Sequence, residues 1–481
     1  MPPERAQYSP PWANTSIIGI AGSSGSGKTS LALAICASLN LPWVVILSMD
    51  SFYNPLTPEQ SVIAFKNEFD FDAPAAIDFD LLVDKIRDLK MGKKADVPIY
   101  SFEKHARVEQ SKTVYSPHVL ILEGIFALHD ERILDMLDLK VFAEADGDLC
   151  LSRRLLRDVR ERGRDIEGCI KQWFSFVKPN FHKFVEPQRE VADLIVPRGI
   201  ENQVAISMIS DRIRKVLAQK SKLHQVELRR LAAHAAANPL SSNVLMLPQT
   251  HQVRGLNTLL LDPSISREDF IFYFDRLATM LIERALQEAP YTPTTVSTPQ
   301  GTSYTGYLPC ATISATLLLR GGSVLEPALR RVLPSALTGR ILIQTATRKH
   351  GPHGGLLSRS SSSGPGPGEE DPDAESDKEL DIPGEPELHY RGLPRDLPSH
   401  GLVLLLDSQI SSGGAALMAV RVLVDHGVEE SKIVFVTWCA AMRPVKRLMA
   451  VFPDIKVVVG RMGGEEERDE KRWVADKYLG C

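Results

Sequence analysis

Residues 22 to 29 read GSSGSGKT: Gly22, Gly25 and Gly27 interleave with Ser23, Ser24 and Ser26, and the run ends in Lys28 and Thr29, with Ser30 just beyond. Glycines let successive backbone N–H groups curl round phosphate oxygens, and a helix starting there adds the positive end of its dipole. A lysine at the end of such a loop reaches β- and γ-phosphates, and a threonine hydroxyl can ligate Mg²⁺. The run meets the full G-x-x-x-x-G-K-[ST] pattern between the apolar stretch SIIGIA and the helical pattern TSLALAICASL, the context this chemistry requires. The loop is therefore expected to hold a nucleoside triphosphate. By itself it does not separate an ATPase from a GTPase or a small-molecule kinase.

Two acids follow at matching places. WVVILSMD carries Asp50 to the end of a second apolar strand, and HVLILEGIFAL carries Glu123 to the end of another. In an open parallel sheet those carboxyl ends form the ligand crevice. Asp50 there would accept the proton of an attacking hydroxyl or join a metal, and Glu123 would share Mg²⁺ with Thr29. Taken alone, Asp50 also reads as the N-cap of the next helix. Tyr53 beyond it offers an aromatic wall. The run RRLLRDVRERGRD then crowds Arg153, Arg154, Arg157, Arg160, Arg162 and Arg164 together. Such a run is ordinarily solvated surface charge, but beside a phosphate loop its fixed donors would neutralise oxyanions during transfer.

The elements that must position these residues alternate between short apolar runs and helical patterns. From residue 17 to about 218, SIIGIAG, WVVILSMD, HVLILEGIFAL, LKVFAEA and ADLIVPR read as buried strands, with helices such as DGDLCLSRRLLRDVRER between them. A parallel α/β sheet covered on both faces is expected. Residues 1–14 read as a flexible N-terminus, 15–218 as a first domain, 219–245 as a connector and 246–481 as a second α/β domain. The second domain has a long amphipathic helix at DFIFYFDRLATMLIERAL and strands at ATISATLLLRGG, GRILIQTAT, GLVLLLDSQ, SKIVFVTWCAA and IKVVVG. Residues 348–383, rich in Gly, Ser, Pro and acids, bury too little to repay their ordering entropy and read as a disordered insert.

The 481 residues exceed one ordinary core, and a net charge of −4 gives no reason to expect nucleic acid or an anionic membrane as partner. The six cysteines are scattered with no CxxC pair, which disfavours a zinc site or a disulfide framework and fits a reducing, cytoplasmic setting. No apolar leader opens the chain, and no stretch reaches the roughly 18 apolar residues of a membrane span.

In order, GSSGSGKT, SMDSFY, FDFDAPAAID, PIYSFEKHAR, LEGIFAL, RRLLRDVRERGRD and FVKPNF closely resemble the uridine–cytidine kinases over roughly residues 15–218. The resemblance implies a phosphate-loop kinase fold and transfer of the ATP γ-phosphate to the 5′-hydroxyl of uridine or cytidine. Mg²⁺ would be the cofactor, UTP or CTP feedback inhibitors, and a tetramer the assembly. It makes Asp50 the general base, with Lys28 and Arg157 completing the catalytic set and Thr29, Glu123 and Asp50 the metal environment. Asp72 and Arg154 would hold the ribose hydroxyls with Gln172 nearby, and Tyr53, Phe71, Tyr100, Phe102 and His105 would form the base pocket. Arg157, Arg162 and Arg164 would bind phosphates and act as lid residues. Other small-molecule kinases share the loop but lack PIYSFEKHAR. A protein that only senses nucleotide would have no need of both Asp50 and Glu123.

The second half resembles the uracil phosphoribosyltransferase domain fused behind uridine kinases, through LPQTHQVRGLNTLLLD, LLLRGGSVLEPALRRVLP, GEPELHY and LLLDSQISSGGAALMAVRVL. Asp407 would contact the ribose hydroxyls of phosphoribosyl pyrophosphate, and the backbone N–H groups of Ser411, Ser412, Gly413 and Gly414 would cradle its 5′-phosphate. Two places depart from the active pattern. Ala415 replaces the expected hydroxyl residue, and RWVADKYLGC keeps Asp476 and Tyr478 without a glycine-rich loop before it. A structural or regulatory role is therefore expected of this half, with an enzyme active in both halves as the alternative.

Overall fold

A computed structural model describes residues 5–66, 68–346, 385–463 and 473–479, which fall into two compact units, Ser9–His224 and Gln225–Cys481 with Met1–Tyr8. The stretch 348–383, expected to be a disordered insert, lies outside the described residues.

The first unit is built on β1 (Ser16–Gly22), β2 (Val44–Ser48), β3 (Ala95–Ser101), β4 (Ala106–Val114), β5 (Val119–Glu123), β6 (Leu139–Glu144) and β7 (Leu194–Pro197). Five of these form a wholly parallel sheet in the order β2-β5-β1-β6-β7. Its strands are apolar almost without interruption because helices cover both faces: every residue of β5 is buried, and so are six of the seven in β1. One face packs Ile17, Leu47, Phe52, Leu120 and Phe126; the other packs Ile18, Ile20, Leu31, Ile35, Ile206 and Ile213. All five strands and the helices between them stand where the sequence pattern put them.

Three features differ from expectation. The segment PIYSFEKHAR folds into an antiparallel hairpin, β3 with β4, with an irregularity between Pro98 and Tyr100. The end of the 1–14 segment is not loose: Trp12 is fully buried, edge-on to Tyr115 at 5.8 Å, because an indole gains more by burial than a short leader loses in freedom. The expected connector begins inside a helix, Gln203–Ala236, whose residues up to His224 belong to the first unit and the rest to the second. No Gly or Pro interrupts that helix between Gln203 and Ala236.

The second unit contains β8 (Val244–Met246), β9 (Tyr291–Ser297), β10 (Ser303–Pro309), β11 (Ile313–Leu319), β12 (Leu337–Ala346), β13 (Glu385–Gly392), β14 (Leu402–Leu406), β15 (Gln409–Ile410), β16 (Ile433–Ala441) and β17 (Lys456–Gly463). Its main sheet runs β13-β12-β11-β14-β16-β17-β8, parallel except for β13, with β15 beside β16, while β9 and β10 form a separate hairpin. The helix Arg267–Leu286 is capped by Ser266 and buries Phe270, Phe274, Leu277 and Leu281 along one face. Among the described residues, no helix is long and apolar enough to cross a membrane.

Candidate active site

The register of the first sheet aligns Ser48 of β2 and Ile20 of β1 with Glu123 of β5, so the loop, Asp50 and Glu123 leave the sheet along one edge. Past Gly22 the chain turns through positive φ at Gly25 (87°) and Gly27 (92°) and enters the helix Lys28–Leu39. At Gly25 a β-carbon would collide with the carbonyl oxygen of Cys150, so both the dihedral and the close approach demand glycine. Among the described residues no side chain caps this helix, and its first N–H groups remain available to an oxyanion. Ser26, within the loop, is wholly buried.

Lys28 is buried and its ammonium donates to the Ser23 carbonyl at 3.2 Å. Burial pulls its pKa below the ordinary lysine value, against the opposing fields of Glu123 and Asp50. Thr29 Oγ1 donates to Glu123 Oε2 at 3.0 Å, which puts a hydroxyl and a buried carboxylate side by side at the mouth of the loop. Asp50 lies in the short turn Met49–Phe52, its N–H donating to Ser48 Oγ at 3.4 Å.

Two cavities meet here. One is lined by Tyr53, Phe71, Asp72, Phe102, His105, Arg154, Arg164 and Gln172; the other runs along Gly25, Gly27, Ser30, Arg153 and the β3–β4 hairpin. Lys28, Thr29, Asp50, Glu123 and Arg157 line both. In the first, His105 stacks on Phe71 at 5.1 Å and 16°, and Tyr53 stands edge-on to Phe71 at 5.8 Å. Tyr100 differs from expectation: it packs behind Tyr53 at 5.2 Å instead of lining the cavity. Among the described residues its buried hydroxyl has no hydrogen-bond partner, and burial pushes its pKa up to about 12. Arg164, expected over the phosphates, turns to Asp158 and Gln172, at 3.3 and 3.2 Å. The side chain of Arg162 lies outside the described ones.

Two family models match: the "Phosphoribulokinase / Uridine kinase family" over residues 17–205 and "Uracil phosphoribosyltransferase" over 247–471. The chain is 39% identical to "Uridine kinase" of Saccharomyces cerevisiae, over 99% of this chain and 91% of that protein. It is 41% identical to "Uridine-cytidine kinase-like 1" of Mus musculus, over 93% and 77%, and 38% identical to "Uridine kinase" of Schizosaccharomyces pombe, over 98% and 97%. The chain belongs to the uridine kinase family.

Several residues that shape this uridine kinase site escaped the sequence reading. Phe69 and Phe176 join the aromatic wall. Asn180 donates to both oxygens of Asp70 at 2.8 Å, and Asp70 accepts the N–H of Asp72 at 3.0 Å, which sets the turn that presents Asp72 to Arg154. Arg107 donates to the carbonyl of Tyr53 and to Asp78 at 3.0 and 3.1 Å, tying the hairpin to the base wall. Asp158, fully buried, sits among three arginines. A signal for it existed in an acid placed four residues after Arg154 within a basic helix.

In the second unit of this uridine kinase, Asp407, Ser411, Ser412 and Gly413 line a cavity with Arg320, Gln344 and Asp476. Gly414 begins the helix Gly414–Asp425. Burial pushes the Asp407 carboxyl up to about 7, against the N–H groups of Gln409 and Ser408. Tyr478 anchors the last helix by donating to Asp275 at 2.8 Å, so Ala475 and Asp476 face the cavity. Residues 464–472, before that helix, lie outside the described ones.

Proposed function

We propose that the first unit transfers the γ-phosphate of ATP to the 5′-hydroxyl of uridine or cytidine, a reaction of pyrimidine salvage. The observation that carries this reading is the set Lys28, Thr29, Asp50, Glu123 and Arg157, which borders both an aromatic cavity and a phosphate loop. A hydroxyl held in the first cavity faces the end of a triphosphate held in the second, the in-line arrangement that phosphoryl transfer needs.

The pyrimidine lies between Tyr53 and the Phe71–His105 stack, where the ring nitrogens of His105 read its polar edge. Asp72 and Arg154 take the ribose hydroxyls. Asp50 accepts the 5′-hydroxyl proton as the oxygen attacks phosphorus. Lys28 and Arg157 offset charge on the transferring group, with the open N–H groups of the loop holding the β-phosphate. Thr29 and Glu123 are hard oxygen donors 3.0 Å apart and suit Mg²⁺. Held by these two residues, the ion would supply charge neutralisation to the phosphates. For the second unit we read a binding or structural role, with Asp407 and the loop Ser411–Gly414 as a ribose-phosphate cradle.

The test is a steady-state assay with Mg-ATP and uridine, cytidine or adenosine, and separately uracil with phosphoribosyl pyrophosphate, on the wild type and Asp50→Asn. Uridine and cytidine turnover that drops about 10²–10⁴-fold in the variant is expected. A wild type that binds ATP but phosphorylates no nucleoside overturns the reading, and uracil-dependent pyrophosphate release would make the second unit an enzyme.

A further inference from the structure

Among the described residues, Asp158 is the one acid in the helix Gly147–Arg162 that touches the guanidinium groups of both cavities, and no solvent reaches it. Its Oδ1 accepts from Arg157 Nε at 2.9 Å and its Oδ2 from Arg164 Nη1 at 3.3 Å, while Arg154 Nε lies 3.6 Å from Oδ2. Arg154 turns its other end to Asp72, at 3.3 Å, in the aromatic cavity. Arg157 borders the phosphate loop. The chain is shaped to make this cluster. Gly163, at φ +64°, ends the helix in the left-handed conformation, and the Arg164 N–H then returns to the Asp158 carbonyl at 3.1 Å, which folds Arg164 back over the carboxylate.

We infer that Asp158 is a positioning residue for both halves of the reaction, orienting Arg154 toward the nucleoside and Arg157 toward the phosphates; the inference rests on the kinase reading above. A guanidinium directs charge only when its plane is fixed, and its long side chain has many rotamers. One buried carboxylate hydrogen-bonds two such groups, faces the third as an ion pair at 3.6 Å, and offsets the mutual repulsion of all three before any substrate arrives. Arginines misplaced by about 1 Å would cost roughly 10²-fold in rate.

The experiment compares Asp158→Asn with Arg154→Lys, Arg157→Lys and the double variants in uridine phosphorylation. Thermal melting verifies the fold, and calorimetry measures Mg-ATP affinity. Asp158→Asn is expected to lower kcat about 10–10²-fold and to raise the uridine KM as well. Arg157→Lys should act mainly on kcat and Arg154→Lys mainly on KM. Each lysine should add little when combined with Asp158→Asn, because its arginine is already misdirected. Additive losses, or an Asp158→Asn variant with wild-type kcat and KM, overturn the inference while leaving the kinase reading intact.

Should Asp158→Asn not fold, the lysine variants carry the test. Lysine keeps the charge but cannot be held in a fixed plane, so losses as large as those of Arg154→Met and Arg157→Met support orientation by Asp158, and activity within twofold of wild type overturns it. A wild type without kinase activity would sink the kinase reading instead. Mg-ATP affinity then decides, a tenfold or greater loss in Asp158→Asn supporting the inference and no change overturning it.

Discussion

At the scale of single residues, the phosphate loop is the part of this chain whose chemistry follows most directly from residue type. Glycine at 25 is required twice over, by a φ of +87° and by the Cys150 carbonyl that any β-carbon would strike. Gly25→Ala should therefore displace the loop from the helix Gly147–Arg162, costing about 1–3 kcal/mol of stability and most of the ATP affinity. Thermal melting and calorimetric titration with Mg-ATP check both; a variant with wild-type melting and binding would show that the loop relaxes without strain. The acids at strand ends were as legible as the loop, since an apolar strand that stops at a carboxylate marks a crevice. Asp158 and Asn180 were not, because their roles come from folding a helix end and a distant turn onto neighbours that spacing alone does not reveal.

At the scale of elements, the five parallel strands were legible because burial on both faces leaves them almost wholly apolar. The β3–β4 hairpin was missed for the opposite reason. Pro98, the irregularity beside it and the exposed residues of β4 break the alternation that announces a strand, although this hairpin carries Tyr100, Phe102 and His105. The helix Gly147–Arg162 shows how one element's ending serves the site. Gly163 has open space where a β-carbon would go, so a substitution there meets conformational cost without a clash. Gly163→Ala should lose about 1 kcal/mol and lower kcat/KM for uridine as Arg164 loosens from Asp158. Gly163→Asn should be milder, because asparagine tolerates the left-handed conformation. Melting curves and kinetics of the pair check the order, and an alanine variant no worse than the asparagine one would show that the helix ends there for another reason.

For the molecule as a whole, a half-buried acid of the second unit, Asp407, sets a measurable sign for the pH dependence of stability. Asp407 ionises near 7 in the folded chain against an ordinary value of 3.8, so between those values the native state holds a proton that the unfolded chain has released. Stability from this group is then complete below about 3.8 and is lost as pH rises toward and through about 7, where the native carboxylate must ionise in its partly desolvated setting. Asp407→Asn removes that loss while keeping the shape and the acceptor oxygen facing the Ser408 and Gln409 N–H groups. Because the residue is only partly shielded from solvent, the gain at pH 8 should be about 1–2 kcal/mol, shrinking at pH 5. Denaturation of the full chain at the two pH values measures it. With kinase activity followed in parallel, a stabilised variant that still phosphorylates uridine would show that the acid costs stability and is not needed for phosphoryl transfer. A variant that gains nothing over the wild type at either pH would mean that Asp407 ionises freely in the native state.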